Sequence, residues 1–132
     1  MLKVNVLVVE DCSVMRYMIK RTLALCKIQL GSVLEASNGR EGLELLKNNK
    51  VDLLILDMNM PVMDGMEMLQ TIHAKNGIYN SPVLIVSTES NSKRVKSIAS
   101  LGSGYVHKPF SPEALKEEIL RVINEEKVMG RA

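Results

Sequence analysis

The 132-residue chain is poor in several features that would commit it to a class. Its two cysteines, Cys12 and Cys26, are too few for a disulfide framework and lack a metal-ligand spacing. Both are expected to be small apolar residues in a reducing compartment, with Cys12 beside an acidic pair the one open to oxidation. There is no tryptophan, so the protein has no intrinsic indole fluorescence. The formal net charge is only +2, with no basic run and no helix-turn-helix pattern, which argues against a nucleic-acid partner. No stretch approaches the ~20 apolar residues that span a bilayer, so no membrane insertion is expected. The opening MLKVNVLVVED is too short in its apolar part, and too acidic afterwards, for a signal peptide. A cytoplasmic protein is the expectation. No internal repeat, low-complexity tract or linker is visible.

What is present is ordinary globular composition, 46% apolar and 24% charged. The length suits one domain over residues 1–132 with a core at about 3–126. The informative stretch is Leu53 to Gly65, LLILDMNMPVMDG. Leu53-Leu54-Ile55-Leu56 is a short apolar run of the kind buried on both faces of a parallel sheet. It runs straight into Asp57, after which Pro61 and Gly65 force the chain to leave the strand. Asp57 therefore stands at the carboxyl edge of a sheet, where ligands bind in open α/β folds.

The rest of the chain alternates strand and helix signals. Lys3–Val9 reads as strand one. Ser13 is the predicted cap of a helix from Val14 to about Cys26, with Val14, Met18 and Leu25 facing the core. Gly31-Ser32 reads as a break before strand two, Val33–Ala36. After the turn Asn38-Gly39, helix two spans about Arg40–Lys47, with Leu43 and Leu46 inward. Strand three is Val51–Leu56. Helix three spans Met66 to about His73, closed by Asn76-Gly77. Strand four is Pro82–Val86, with proline at its tolerated first position. Helix four spans about Ser92–Leu101 and stops at Gly102-Ser103-Gly104. Strand five is Tyr105–His107. Ser111 and Pro112 then start a last helix with a stripe of Leu115, Ile119, Val122 and Ile123, and Lys127–Ala132 reads as a frayed tail. Alternation of this kind predicts an α/β fold, a doubly wound five-stranded parallel sheet of order 2-1-3-4-5.

In that fold every strand-to-helix loop lies at one edge. Glu10 and Asp11, Asp57, Ser87 and Thr88, and Lys108 all meet there. Each alone has an ordinary explanation: favourable charge at a helix start, a solvated lysine, loop hydroxyls. Together they specify a chemistry. Three neighbouring carboxylates repel one another, and a divalent cation removes that cost. All-oxygen ligands suit Mg²⁺. Lys108 and the Ser87 hydroxyl can hold two phosphoryl oxygens, and Asp57 can attack phosphorus as a carboxylate nucleophile. His73 and His107 have no ligand spacing and are read as non-catalytic. The series Met58, Met60, Met63, Met66 and Met68 is read as packing.

These motifs, Glu10-Asp11, DMNMPVMDG from Asp57, VSTE at Val86–Glu89 and GYVHKPF at Gly104–Phe110, resemble the receiver domains of bacterial response regulators, above all the stand-alone chemotaxis type. The resemblance covers Lys3 to about Glu126 and implies a flavodoxin-like (βα)5 fold. It implies that Asp57 is the phosphoacceptor for a histidine kinase or histidine phosphotransfer domain. By the same resemblance Glu10, Asp11, Asp57 and the carbonyl of Asn59 hold Mg²⁺, and Lys108, before a cis proline, contacts the phosphoryl group. Ser87 and Tyr105 are the switch pair, while Asn59, Thr88 and Glu89 tune the lifetime of the phosphoryl group. The downstream protein target is expected on the face built from helix four, strand five and helix five. Such a protein catalyses only its own phosphotransfer and dephosphorylation. Thr88 departs from the family's usual Ala or Gly, which predicts slower self-phosphorylation by small donors, and Met58 replaces a tryptophan of some members. The alternatives are a phosphorelay shuttle, the receiver part of a larger regulator, and an Asp-nucleophile phosphatase. The phosphatase would carry DxD after its first strand, where this chain has Glu10-Asp11. A flavin-binding domain would need a Ser/Thr-rich loop at that place.

Overall fold

The computed structural model describes residues 3–60, 62–74 and 79–128. Five strands, β1 (Val4–Val9), β2 (Leu30–Ala36), β3 (Leu53–Asp57), β4 (Val83–Ser87) and β5 (Gly104–His107), alternate with five helices. The helices are α1 (Ser13–Leu25), α2 (Gly39–Asn48), α3 (Gly65–Ala74), α4 (Ser92–Ala99) and α5 (Pro112–Val128). The sheet is wholly parallel in the order β2-β1-β3-β4-β5, as the alternation predicts. Because successive strand residues face opposite sides, each central strand feeds two cores. Val6, Val8, Leu53 and Ile55 pack with Ile19 and Leu23 of α1 and Leu115 and Ile119 of α5. Leu7, Val9, Leu54 and Leu56 pack with Leu43 of α2 and Met68 and Leu69 of α3. Every residue of β3 and β4 is buried, which accounts for their unbroken apolar runs. The methionines also serve packing: Met58 and Met68 are buried, and Met60, Met63 and Met66 lie partly buried against the same cluster.

Helix starts follow local chemistry. Asn38 Oδ1 accepts the Glu41 N–H at 2.9 Å and caps α2. Asn91 Oδ1 accepts from Lys93 and Arg94 and caps α4. Ser111 Oγ accepts the Ala114 N–H ahead of Pro112, as predicted for α5. The structure corrects α1. Cys12, not Ser13, is its N-cap, and no side chain caps it. The predicted core face is also wrong: Val14 is 66% and Leu25 62% exposed, and Met18 is exposed too. The helix instead turns Met15, Ile19, Leu23 and Cys26 to the sheet and α5. Both stripes are apolar at helical spacing, and the covered one is set by the place of α5.

Gly31 and Ser32 lie inside β2 rather than breaking it. Asn5 of the neighbouring strand explains the glycine, since its Oδ1 accepts the Ser32 N–H at 2.9 Å and occupies the space a Cβ at residue 31 would need. The register shifts locally there, between Val4 and Val6. Helix α5 runs through Lys127 to Val128, past the start of the predicted tail. Asn76-Gly77, Pro61 and residues 129–132 lie outside the described residues. No helix among the described residues is long and apolar enough to cross a membrane.

Candidate functional site

Four strand ends build one site at the carboxyl edge of the sheet. Glu10 follows β1 and Asp57 ends β3, and both are 99% hidden from solvent at 1% exposure, while Asp11 is exposed. One oxygen from each of the three can lie within 4.8 Å of the others. The Lys108 ammonium, just past β5, lies 2.9 Å from Glu10 Oε1 and 3.1 Å from Asp57 Oδ1. The Lys108-Pro109 bond is cis. Ser87, at the end of β4, is also buried; its carbonyl accepts the Lys108 N–H at 2.8 Å, joining the β4 and β5 ends.

Burial shapes the charges. Loss of solvent pushes the Glu10 carboxyl up to about 7, the Lys108 contact pulling it down and Asp57 pushing it further up. Burial works to lower the Lys108 ammonium, but Glu10 and Asp57 outweigh it and its pKa rises. The carboxylates are incompletely satisfied. Asp57 Oδ1 accepts the Asn59 N–H at 3.1 Å, but Asp57 Oδ2 is buried with no hydrogen-bond partner among the described residues. Glu10 Oε1 likewise has no aligned hydrogen bond, so its contact with Lys108 is an ion pair. Buried acceptors without donors are costly. Orphaned carboxylate oxygens in an all-oxygen cluster fit a hard divalent cation such as Mg²⁺.

The loops around the carboxylates are held tightly. Gly65 lets α3 start directly against β3, since a Cβ there would stand 2.6 Å from the Asp57 carbonyl oxygen. Val62 has φ 69°, a left-handed conformation rare for a β-branched residue. Thr88 Oγ1 donates to Asn59 Oδ1 at 3.2 Å, bridging the loops after β4 and β3. The Glu89 N–H donates to Ser87 Oγ at 3.0 Å, while the Glu89 carboxylate turns toward α4, where it accepts the Asn91 N–H and pairs with Arg94 at 3.8 Å.

The structure thus brings Glu10, Asp11, Asp57 and Lys108 together, with Asn59, Ser87 and Thr88 around them. Tyr105, like Ile98 and Leu101, is partly buried against the core cluster that includes Leu56, Met58 and Ile85. Its hydroxyl is buried without a partner among the described residues. His107 is exposed on β5, and His73 lies in the last turn of α3. Sequence reasoning missed Arg16, whose Nη1 donates to the Glu10 carbonyl at 2.6 Å while Nε pairs with Glu35. The available signal was an arginine one turn into the helix after the acidic pair.

Comparison with known proteins identifies a family. The family model described as "Response regulator receiver domain" matches residues 6–120. A chemotaxis protein CheY homolog of Campylobacter jejuni is 39% identical over 121 residues, covering 90% of this chain and 92% of its own. Chemotaxis protein CheY of Pseudomonas aeruginosa is 35% identical over 127 residues, covering 96% and 99%. Among solved structures, chemotaxis response regulator CheY4 of Vibrio cholerae has a TM-score of 0.79 at 30% identity, covering 92% of this chain and 99% of that one. The fold, the acidic cluster and these similarities lead to one assignment: the chain belongs to the response regulator receiver domain family.

Proposed function

We propose that the chain is a phosphorylation-activated switch of a two-component system, acting in the cytoplasm in chemotaxis. Asp57 accepts a phosphoryl group from the phosphohistidine of a histidine kinase or histidine phosphotransfer domain. The observation that carries this reading is the state of Asp57: one oxygen faces the Lys108 ammonium at 3.1 Å, and the other is buried with its lone pairs free. In the transfer an Asp57 oxygen bonds to phosphorus while the phosphorus–nitrogen bond of the donor breaks. The imidazole leaves with that electron pair and takes up a proton. Lys108 neutralises one phosphoryl oxygen, and the Ser87 hydroxyl turns to donate to a second. Water later attacks phosphorus, releasing phosphate and restoring the carboxylate.

Glu10, Asp11, Asp57 and the Asn59 carbonyl would hold Mg²⁺. When bound, that ion supplies neutralisation of carboxylate and phosphoryl charge. Asn59, Thr88 and Glu89 tune the lifetime of the acyl phosphate by shaping the approach to it. Ser87 and Tyr105 carry the change outward, to a partner on the α4–β5–α5 face. Two features support that face: α4 buries none of its residues, and an open groove lies between the edge of β5 and the start of α5. The test is backbone amide NMR with beryllofluoride and Mg²⁺. The expected result is a path of shifted resonances from Asp57 through Ser87 and Thr88 to Tyr105 and α4. Shifts confined to the neighbours of Glu10, Asp11 and Asp57 would contradict a switch.

A further inference from the structure

The outer edge of β5 is not left open. β5 ends the sheet, so its outward backbone groups have no strand to pair with. Two α5 side chains stand in for one. The Tyr105 N–H donates to Glu118 Oε2 at 2.9 Å, and Arg121 Nη2 donates to the Ser103 carbonyl at 3.1 Å. The two side chains are locked to each other, with Arg121 Nε and Nη2 donating to the two Glu118 oxygens at 2.8 Å each. This is the planar fork in which guanidinium and carboxylate match best. Arg121 Nη1 also donates to Glu125 at 2.6 Å, which steadies the fork from the next turn.

Gly104 makes room for the arrangement. A Cβ there would stand 2.6 Å from Val122 Cγ2 and 3.0 Å from Glu118 Oε2, forcing α5 off the strand edge. Arg121 holds the Glu118 carboxyl below its usual range, burial opposing and the Tyr105 N–H assisting, so the acceptor stays charged at neutral pH. Beyond this fixed backbone the Tyr105 side chain packs, partly buried, against the same core cluster as Ile98 and Leu101, and its hydroxyl has no partner among the described residues. Tyr105 therefore combines an anchored main chain with an unsettled side chain.

We propose that Glu118 and Arg121 form a latch that positions Tyr105, pinning its backbone to α5 so that only its side chain changes place when Asp57 is phosphorylated. The proposal rests on the reading of Tyr105 as a switch residue. Glu118 and Arg121 are positioning residues with no part in the phosphoryl chemistry. They also line the open groove of about 450 Å³ together with His107 and Phe110, so a partner seated in it touches the latch directly.

The test uses protein labelled with 3-fluorotyrosine, in which Tyr105→Phe assigns one of the three tyrosine signals. It is joined by residue-level amide exchange. In Glu118→Ala the Tyr105 amide exchanges about tenfold faster relative to the Val106 amide, because its acceptor is gone. Its fluorine signal moves in the unphosphorylated protein, and the further movement caused by beryllofluoride and Mg²⁺ shrinks. Glu118→Gln keeps an acceptor oxygen and restores most of the Tyr105 protection. Two results overturn the latch: Tyr105 exchange unchanged in Glu118→Ala, or a speeding shared equally by Tyr105 and Val106, which is general loosening. A wild-type Tyr105 signal that ignores beryllofluoride overturns the switch reading, and the role of the latch with it. That failure is told apart from the others because it occurs without any substitution.

Discussion

Glu10 should make the metal-free protein lose stability as pH rises. In the folded state burial, opposed by Lys108 and reinforced by Asp57, keeps this carboxyl protonated up to about pH 7, against 4.5 ordinarily. Between those values the folded state holds a proton that the unfolded chain has released, so folding weakens with rising pH. The contribution is fully present below pH 4.5 and is lost as pH climbs through 7. The gap of about 2.5 units at ~1.36 kcal/mol per unit corresponds to about 3 kcal/mol. Glu35, held low by Lys20 and Arg16, and Glu118, held low by Arg121, titrate below this window. The perturbation is Glu10→Gln, which keeps the shape and removes the ionisation. The assay is urea unfolding followed by far-ultraviolet circular dichroism, with chelator, from pH 4 to pH 8. The stability of the wild type relative to the variant should fall by about 3 kcal/mol across that range. A constant offset between the two proteins at every pH would show that the Glu10 carboxyl does not hold this extra proton in the folded state. Added Mg²⁺ should restore the wild type at pH 8 and do little at pH 4, where Glu10 binds a proton instead.

Thr88→Ala should accelerate self-phosphorylation by acetyl phosphate, because it removes both bulk and the hydrogen bond to Asn59; Thr88→Ser, which keeps that bond, should stay closer to wild type. A Thr88→Ala rate equal to wild type in a mass-detected time course would count against this. Lys108→Met should slow phosphotransfer from a histidine donor by about 10²-fold or more, since the cation beside both buried carboxylates is lost; single-turnover transfer measures it, and a rate within twofold of wild type would contradict the role given to Lys108. Val14, Tyr17 and Met18 form an exposed apolar stripe on α1, close in sequence to the acidic pair at the site mouth. Val14→Ser with Tyr17→Ser should slow transfer from a donor protein's histidine while leaving acetyl phosphate labelling unchanged; equal loss with both donors would remove the stripe from the encounter.

The fold was legible because its signals are redundant. The runs at Val6–Val9, Leu53–Leu56 and Val83–Val86 have the length and composition of strands buried on both faces, and short polar breaks separate them from helical stripes. The carboxylate cluster was legible for the same reason, since parallel topology sends every strand end to one edge. Helix α1 was not, because Val14–Leu25 and Met15–Cys26 are both apolar stripes, and only the packing of α5 decides between them. The length of β2 was hidden because Gly31 signals a turn until Asn5, a neighbour in space alone, is seen beside it. The contacts of Arg16 and of the pair Glu118–Arg121 were illegible. An arginine near a helix start and an i, i+3 pair of opposite charge look like surface decoration, and what gives them meaning is a backbone group from a distant strand.

The phosphoacceptor role of Asp57 is tested by the intact mass of the protein after incubation with acetyl phosphate and Mg²⁺, beside an Asp57→Asn variant. The wild type should gain one phosphoryl group, lost on mild alkaline treatment and absent from the variant. No gain in the wild type even with a histidine kinase as donor, or an equal gain in the variant, would contradict Asp57 as the phosphoacceptor.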